Sequence, residues 1–377
     1  MIKNVLFVTH AFLPENFGGA EQQTLKIANA LNKKKINTLI LTVRTKKITP
    51  RKNKINGVDI VRLKVSRLPT IKIEFIFSLL LWLIKILFWS LKNIKKFDAI
   101  YVVHGRLHCV PFLLVSKIFK KKLFIKIGRG GKIFDLNLIK QKKIFGNFII
   151  NSLKKNVTAW ISNSDQIYKN LLSYNIPKKN IYKIYNGVEY KKQKLKNLSK
   201  SKKFLYFGRI DKEKNLNFVI KSFSKLNRNA NFTFTIVGDG SEKKKLLNKI
   251  RTLNLSKKIF LKNRTNKLKK YFNSNHFFIS ASNSEGMSNS LLEASAHGLP
   301  SISSNVSGVK DIITDNRNGF IFNLKNNNDL KKKLKNVLKM SKKKYSNFSL
   351  NIQSEIYRKF RINIIADKHI KMFNNFK

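Results

Sequence analysis

The chain has 377 residues, enough for two or three domains, and 42% of them are apolar, enough to fill real cores. It carries 78 Lys and Arg against 19 Asp and Glu, a formal net charge of +59, which bears on partners (nucleic acid or an anionic membrane surface) rather than on fold. The single cysteine, Cys109, excludes a disulfide framework and a cysteine-based metal site, and lysines spread over the whole chain do not form the basic arm or stripe of a nucleic-acid binder.

Ile2 to Thr9 is an apolar, β-rich run of the kind buried in a parallel sheet. Its apolar part, Val5 to Val8, is too short for a secretory leader, so a cytosolic protein is expected. Gly18-Gly19-Ala20-Glu21 follows and opens a helical pattern to about Leu31. Strand, glycine turn and helix make the first unit of a nucleotide-type α/β domain; the glycine pair alone reads equally well as a plain tight turn. Asn37 to Val43 and Val58 to Val65 read as two more strands. Ile71 to Lys92 is the most apolar stretch; Glu74, Ser78, Lys85 and Lys92 share one narrow helical stripe and leave a wide apolar arc. A buried helix, a membrane span, and a helix that covers the sheet while offering Trp82, Phe88 or Trp89 to a bilayer all fit; the last is the working expectation.

Phe97 to Val103 is the next strand, ending at His104, where α/β proteins bind ligands, although a structural histidine fits too. Leu123 to Ile127 leads into Gly128-Arg129-Gly130-Gly131-Lys132. His104, Arg129 and Lys132 form a candidate acceptor or phosphate site. Thr158 to Asn163 and Ile181 to Ile184 complete the first half at Asn186-Gly187-Val188, a strong turn signal. Residues 191–203 have no core pattern and read as a linker.

The second half begins with the strand Phe204 to Gly208, then Arg209 and Lys214, two cations placed to grip a diphosphate as a fork and a point charge. Asn231 to Val237 runs into Gly238-Asp239-Gly240, read as structural, and further strands follow at 259–261, 276–280, 301–304 and 319–322. Ser280 to Pro300, SASNSEGMSNSLLEASAHGLP, is the most informative stretch: strand end, small-residue loop, short helix starting near Ser288 or Asn289, stop at Gly298 and Pro300. Glu285 in the loop and Glu293 in the helix flank a helix N-terminus that favours an anion. Carboxylates accept hydrogen bonds from sugar hydroxyls, so a phosphorylated, hydroxyl-rich ligand suits the segment.

The two glutamates eight residues apart, Arg209 with Lys214 after a glycine, Gly238-Asp239-Gly240, and Gly18-Gly19 with Glu21 occur in the order found in retaining glycosyltransferases of family 4, which the chain resembles over nearly its whole length. That resemblance implies an α/β fold of two Rossmann-like domains facing a cleft, the GT-B architecture. It implies an acceptor-binding domain over 1–190, a linker over 191–203, a donor-binding domain over 204–355, and a last helix over 356–377 that crosses back to the first domain. It implies a nucleoside-diphosphate sugar as co-substrate, no cofactor and no metal. The catalytic roles fall to Arg209, Lys214 and Glu285. Donor contacts fall to Gly18, Gly19, Gly286, Met287, Ser288, Asn289 and Glu293. Many relatives place a histidine where this chain has Gly128, a departure that argues against carrying over a catalytic histidine. Expected partners are the nucleotide-sugar donor, a saccharide or lipid-linked acceptor and an anionic membrane surface, with no nucleic acid; the expected place is the cytoplasm, peripheral on the inner face of the cell membrane. The alternative is a non-catalytic, basic nucleic-acid- or membrane-binding protein on a transferase-like scaffold.

Overall fold

The computed structural model describes residues 2–66, 76–130, 134–141 and 143–376. The chain forms two compact units, residues 1–187 with 362–377, and residues 188–361.

In the first unit, apolar runs make the strands and amphipathic runs make the helices between them. The elements are β1 Asn4–Val8, α1 Gly19–Asn32, β2 Asn37–Arg44, β3 Lys52–Ile55, β4 Val58–Lys64, α2 Ile76–Asn93, β5 Ala99–Val103, α3 Val110–Ile118, β6 Lys122–Lys126, α4 Asp135–Lys140, α5 Lys143–Asn156, β7 Ala159–Ser162, α6 Asp165–Ser173 and β8 Ile181–Lys183. The sheet order is β3-β4-β2-β1-β5-β6-β7-β8, parallel except for the β3–β4 pair. β3 was not read from the sequence: its run Lys-Asn-Lys-Ile is polar because it is an edge strand, where lysines discourage further pairing. Both sheet faces are covered, so alternate residues of β1 enter different cores: Leu6 and Val8 pack with α2, α3 and α5, while Val5 and Phe7 pack with α1.

The second unit contains β9 Lys202–Phe207, α7 Leu216–Ser224, β10 Phe232–Val237, α8 Lys243–Thr252, β11 Ile259–Lys262, α9 Lys269–Ser274, β12 Phe277–Ser280, α10 Asn289–Ala296, β13 Ser301–Ser304, β14 Gly319–Phe322, α11 Asp329–Leu338 and α12 Lys342–Lys359. Its sheet, β11-β10-β9-β12-β13-β14, is parallel throughout. The last helix, α13 Ile362–Asn374, belongs to the first unit: Met372 and Phe373 are buried in its core, and the Phe373 ring lies 5.1 Å from that of Phe124.

The unit boundaries differ from those drawn on the sequence. The first passage falls after Gly187 and the return at Ile362. Residues 191–203 are part of the second unit: Leu198 is buried in its core, Lys196 Nζ donates to the Phe272 carbonyl (2.5 Å), and Lys202 already lies in β9. A lysine-rich run hides such a docked segment, because one buried leucine leaves no periodic pattern.

The apolar helix also differs in detail. Its described part begins at Ile76; Glu74 lies outside the described residues. Trp82, a candidate for the bilayer, is fully buried against the sheet, Trp89 is half-buried and Phe88 is exposed. Ser78, placed on the polar stripe, is buried, with its Oγ 2.8 Å from Ser66 Oγ.

Candidate functional site

Open parallel sheets bind ligands beyond the C-terminal ends of strands, at the point where strand order reverses. In the second unit that point lies between β9 and β12, because the chain goes from β9 to β10 on one side and later returns to β12 on the other. Arg209 follows β9 and Glu285 follows β12. The turn after β9 is fixed from below: a Cβ on Gly238 would stand 1.9 Å from the Gly208 carbonyl oxygen, and the Ile210 amide donates to the Asp239 carbonyl at 2.9 Å. Gly238-Asp239-Gly240 is thus a packing surface for the Arg209 turn. The Asp239 carboxylate accepts from Lys243 and from the Arg264 amide, which hold its pKa below the usual range.

Lys214 Nζ reaches Glu285 Oε1 at 2.5 Å, and Ser282 Oγ donates to the same oxygen at 2.9 Å. Each side chain of this ion pair is 16% exposed. Asn283 donates its amide to the Glu213 carbonyl (2.9 Å), tying the two loops together. Arg209 pairs instead with Asp211 (2.8 Å) and lies 3.9 Å from Glu213, but its side chain is 58% exposed, an accessible cation. Ser288 caps α10, its Oγ accepting from the Leu291 amide at 3.3 Å. Gly286, Met287 and Ser288 are buried, Asn289 opens the helix, and Glu293 is half-buried within it. The structure therefore brings Lys214 and Glu285 into contact, with Arg209 on the adjoining turn and Glu293 about one turn into the helix.

In the first unit the reversal lies between β1 and β5. Gly18 is the N-cap of α1 and Gly19 its first residue. The Glu21 carboxylate is buried and folded back: it accepts from Asn16 Nδ2 at 3.0 Å, and a Cβ on Gly18 would stand 2.2 Å from its Oε2. The Gln23 amide clamps Gly187 at both its N–H (3.0 Å) and its carbonyl (2.8 Å). The glycine turn and the end of the first half are therefore set by one helix.

His104 follows β5 in the left-handed region, φ 72°. Its Nδ1 lies 3.3 Å from Asp135 Oδ2; the Gly128 amide donates to the same oxygen at 2.9 Å, and Arg106 Nε donates to Oδ1 at 3.3 Å. Burial alone would raise the Asp135 pKa, but His104, Arg106 and the Gly128 amide outweigh it and hold the carboxylate far below its usual range. A Cβ at position 128 would stand 2.2 Å from the His104 ring, so the glycine makes room for that imidazole. The imidazole at this corner comes from β5, not from β6. His10 and His108 complete the cluster, their rings 5.7 Å apart, with that of His10 5.8 Å from His104. Burial, reinforced by the neighbouring cations, lowers both, His108 to about 3, so both are neutral. Arg129 is half-buried in the following loop; Lys132 lies outside the described residues. Among the described residues no group of three or more His, Cys, Asp or Glu side chains is placed to share a metal ion.

Residues 188–354 match the family Glycosyl transferases group 1, and residues 17–192 match Glycosyltransferase Family 4. Superposition on Anabaena HepE in complex with UDP and glucose gives a TM-score of 0.77 over 100% of both chains, at 15% identity. The fold is that of the GT-B glycosyltransferases. Among curated sequences this GT-B chain is 27% identical over 250 residues to an uncharacterized 41.2 kDa protein in the cps region of Klebsiella pneumoniae, covering 64% of the chain and 61% of the relative. It is 29% identical over 212 residues to the N-acetylgalactosamine-N,N'-diacetylbacillosaminyl-diphospho-undecaprenol 4-alpha-N-acetylgalactosaminyltransferase of Campylobacter jejuni, covering 54% and 58%. The matched region thus spans about 60% of the length of these relatives.

Two site features of the GT-B chain were missed in the sequence. Asp135 carried a signal: an acid between Phe134 and Leu136, in a chain with so few acids, is a candidate for burial. Gly308 is the other: at φ 77°, its Cβ position lies 2.4 Å from the Gly286 carbonyl oxygen, so residues 306–309 press directly on the Gly286-Met287 loop. No local pattern announces a contact across twenty residues.

Proposed function

We propose that the chain is a retaining, metal-independent glycosyltransferase of family 4 that moves a hexosyl unit from a nucleoside-diphosphate sugar to an acceptor hydroxyl during synthesis of a cell-surface polysaccharide, lipopolysaccharide or glycolipid. One observation carries the reading: Lys214 and Glu285 meet at the strand-order reversal of the second unit, beside the exposed Arg209 and the capped start of α10. A diphosphate needs the two cations; a sugar needs the carboxylate.

The roles follow. Arg209 and Lys214 take the charge of the diphosphate, which grows on its terminal oxygen as the bond to the anomeric carbon breaks. The two side chains exchange their acids for the diphosphate when the donor arrives, and supply this charge without a metal. Glu285 holds hydroxyls of the donor sugar and Glu293 those of the ribose. The amides from Gly286 to Asn289 meet phosphate or sugar at the helix start. The acceptor oxygen bonds to the anomeric carbon on the face the diphosphate leaves, and the departing phosphate oxygen takes the acceptor's proton. His104, oriented by Asp135, and Arg129 bind the acceptor.

A lipid-linked acceptor fits the charge of the chain, and the Campylobacter relative is named for an undecaprenyl diphosphate acceptor. The reading places the protein in the cytoplasm, on the inner face of the cell membrane.

The test is the melting midpoint against UDP-, GDP-, ADP- and TDP-sugars with and without EDTA. One donor at a hundred times its Kd stabilises by about 2.7 kcal/mol. The expected result is a shift with one nucleotide class, unchanged by EDTA and lost in Arg209→Ala. A shift with no donor overturns the reading.

A further inference from the structure

Ten of the seventeen exposed large apolar side chains among the described residues lie on only three helices, α2, α3 and α5. On α2 they are Ile76 and a single stripe of Phe77, Leu80, Ile84, Phe88 and Leu91, at spacings of three and four, with Phe77 73% exposed. α3 adds Leu114 and Ile118, and α5 adds Phe145 and Phe148, the last 68% exposed. The three helices pack side by side on one face of the first sheet, α3 against both others, so these side chains share one outer surface. Single exposed leucines are ordinary; a continuous apolar face of this size marks a docking surface.

Charge says what covers it. The described parts of these helices hold no Asp or Glu at all. Lysines sit at their C-terminal ends: Lys92 on α2, Lys117 on α3, Lys154 and Lys155 on α5, with Lys95, Lys96, Lys120 and Lys121 on the connections that follow. Because each helix returns to the start of the next parallel strand, the three C-terminal ends lie along the same sheet edge. Aromatic and aliphatic side chains on one plane, a lysine rim and no acid match an anionic bilayer, which takes the apolar groups below its headgroups and the ammonium groups among them. A protein partner of similar area would need acids opposite the lysines and offers no reason for the absence of acids here.

By length and composition Ile76–Lys96 could cross a membrane. Its other stripe forbids that in the folded chain: Trp82, Ile86 and Ser90 are fully buried against the sheet. The helix is two-faced, and its outer face is the one left to occupy.

We infer that the outer face of α2, α3 and α5 is a monotopic membrane-docking surface for anionic lipid. This deepens the proposed action on a lipid-linked acceptor but stands on the surface itself. The N-terminal ends of these helices point to the strand edge that carries His104 and Gly128, so a chain lying on this face keeps that edge at the level of the headgroups.

The experiment is flotation of the full chain with phosphatidylcholine vesicles and with vesicles holding 30 mol% phosphatidylglycerol, without any nucleotide sugar and at low and high salt. Any strongly basic protein binds anionic vesicles at low salt, so the deciding arm is Phe77→Ser/Phe88→Ser/Phe148→Ser. Wild type is expected to stay bound to anionic vesicles at high salt, and the triple variant to lose at least tenfold in partition coefficient. Leu350→Ser in the second unit, a half-exposed apolar side chain off the surface, is the control and keeps wild-type binding. The melting midpoint of each variant, alone and with the nucleotide found in the donor screen, shows that it is folded and separates this result from the transferase reading. Unchanged binding by the triple variant overturns the inference and leaves diffuse charge only. A dimer in sedimentation that the triple variant makes monomeric assigns the face to a second copy and overturns it as well.

Discussion

Glu285→Gln tests how the donor site is poised. The substitution keeps the shape and removes the charge that holds Lys214 at 2.5 Å. Fully exposed pairs contribute about 0–1 kcal/mol, and breaking a buried pair costs about 3–5 kcal/mol. With each partner 16% exposed this pair lies between, so the variant should lose about 2 kcal/mol of stability without ligand. Nucleotide binding should move the other way. In the free protein a diphosphate must draw Lys214 away from Glu285 and approach a carboxylate. Removing that carboxylate lifts a repulsion of about 1–3 kcal/mol across 6–10 Å at an effective dielectric near 20. The affinity for the free nucleoside diphosphate should therefore rise about tenfold, equivalent to about 1.4 kcal/mol, while sugar transfer falls by at least a hundredfold. Calorimetric titration with the nucleoside diphosphate, denaturant unfolding and initial-rate assays measure the three quantities. Weaker nucleotide binding by Glu285→Gln, or unchanged binding together with unchanged stability, would falsify the argument that the ion pair guards the phosphate site.

Asp135→Asn leaves His104, Arg106 and the Gly128 amide without their common acceptor charge. It should cost about 3–5 kcal/mol in denaturant unfolding, and a loss under about 1 kcal/mol would show that the carboxylate organises nothing. Burial lowers His108 and His369 each to about 3. Folded pKa values below the unfolded 6.5 mean that the unfolded chain takes up protons first, so stability is full above about pH 6.5 and falls as pH drops; each histidine costs about 2 kcal/mol by pH 5, and a pH-independent midpoint from 7 to 5 would contradict this. Lys126, buried and donating to Asn186 Oδ1 at 2.9 Å, is lowered by burial to about 8. Here too the unfolded chain holds the proton more tightly, so stability should rise by about 3 kcal/mol from about pH 8 to pH 10.5, and Lys126→Met should abolish that rise; identical slopes in the two proteins would exclude a strained ammonium.

What was legible in the sequence was what local rules determine. Apolar runs between glycine turns located twelve of the fourteen strands among the described residues, because a parallel sheet buried on both faces needs continuous apolar segments. Ser288 and Asn289 were legible as a helix start because capping is a property of four neighbouring residues. The Lys214–Glu285 contact was not legible. It spans 71 positions and depends on β9 and β12 being neighbours, which is a matter of strand order. The inner and outer stripes of α2 were also beyond reach, because both are apolar and periodicity alone cannot tell which one the sheet takes.

The scarcity of acids supplies a stronger guide than the abundance of lysines. In a chain of net charge +59 any lysine will find itself near a loop, so position alone distinguishes no cation. Acids are few in such a chain, some of them, such as Glu15 and Asp98, serving backbone amides, and where one settles beside a cation is informative. Asp211 and Glu213 stand around Arg209, Glu285 holds Lys214, and Asp135 joins His104 to Arg106, so that each of these cations or imidazoles lies beyond the C-terminal end of a strand near a reversal of strand order. α2, α3 and α5, by contrast, have none in their described parts. Cations held by acids are oriented and partly neutralised until a ligand competes for them; cations without acids keep their full charge for a surface. The same excess of lysine thus serves two different purposes, and the nineteen acids mark which is which.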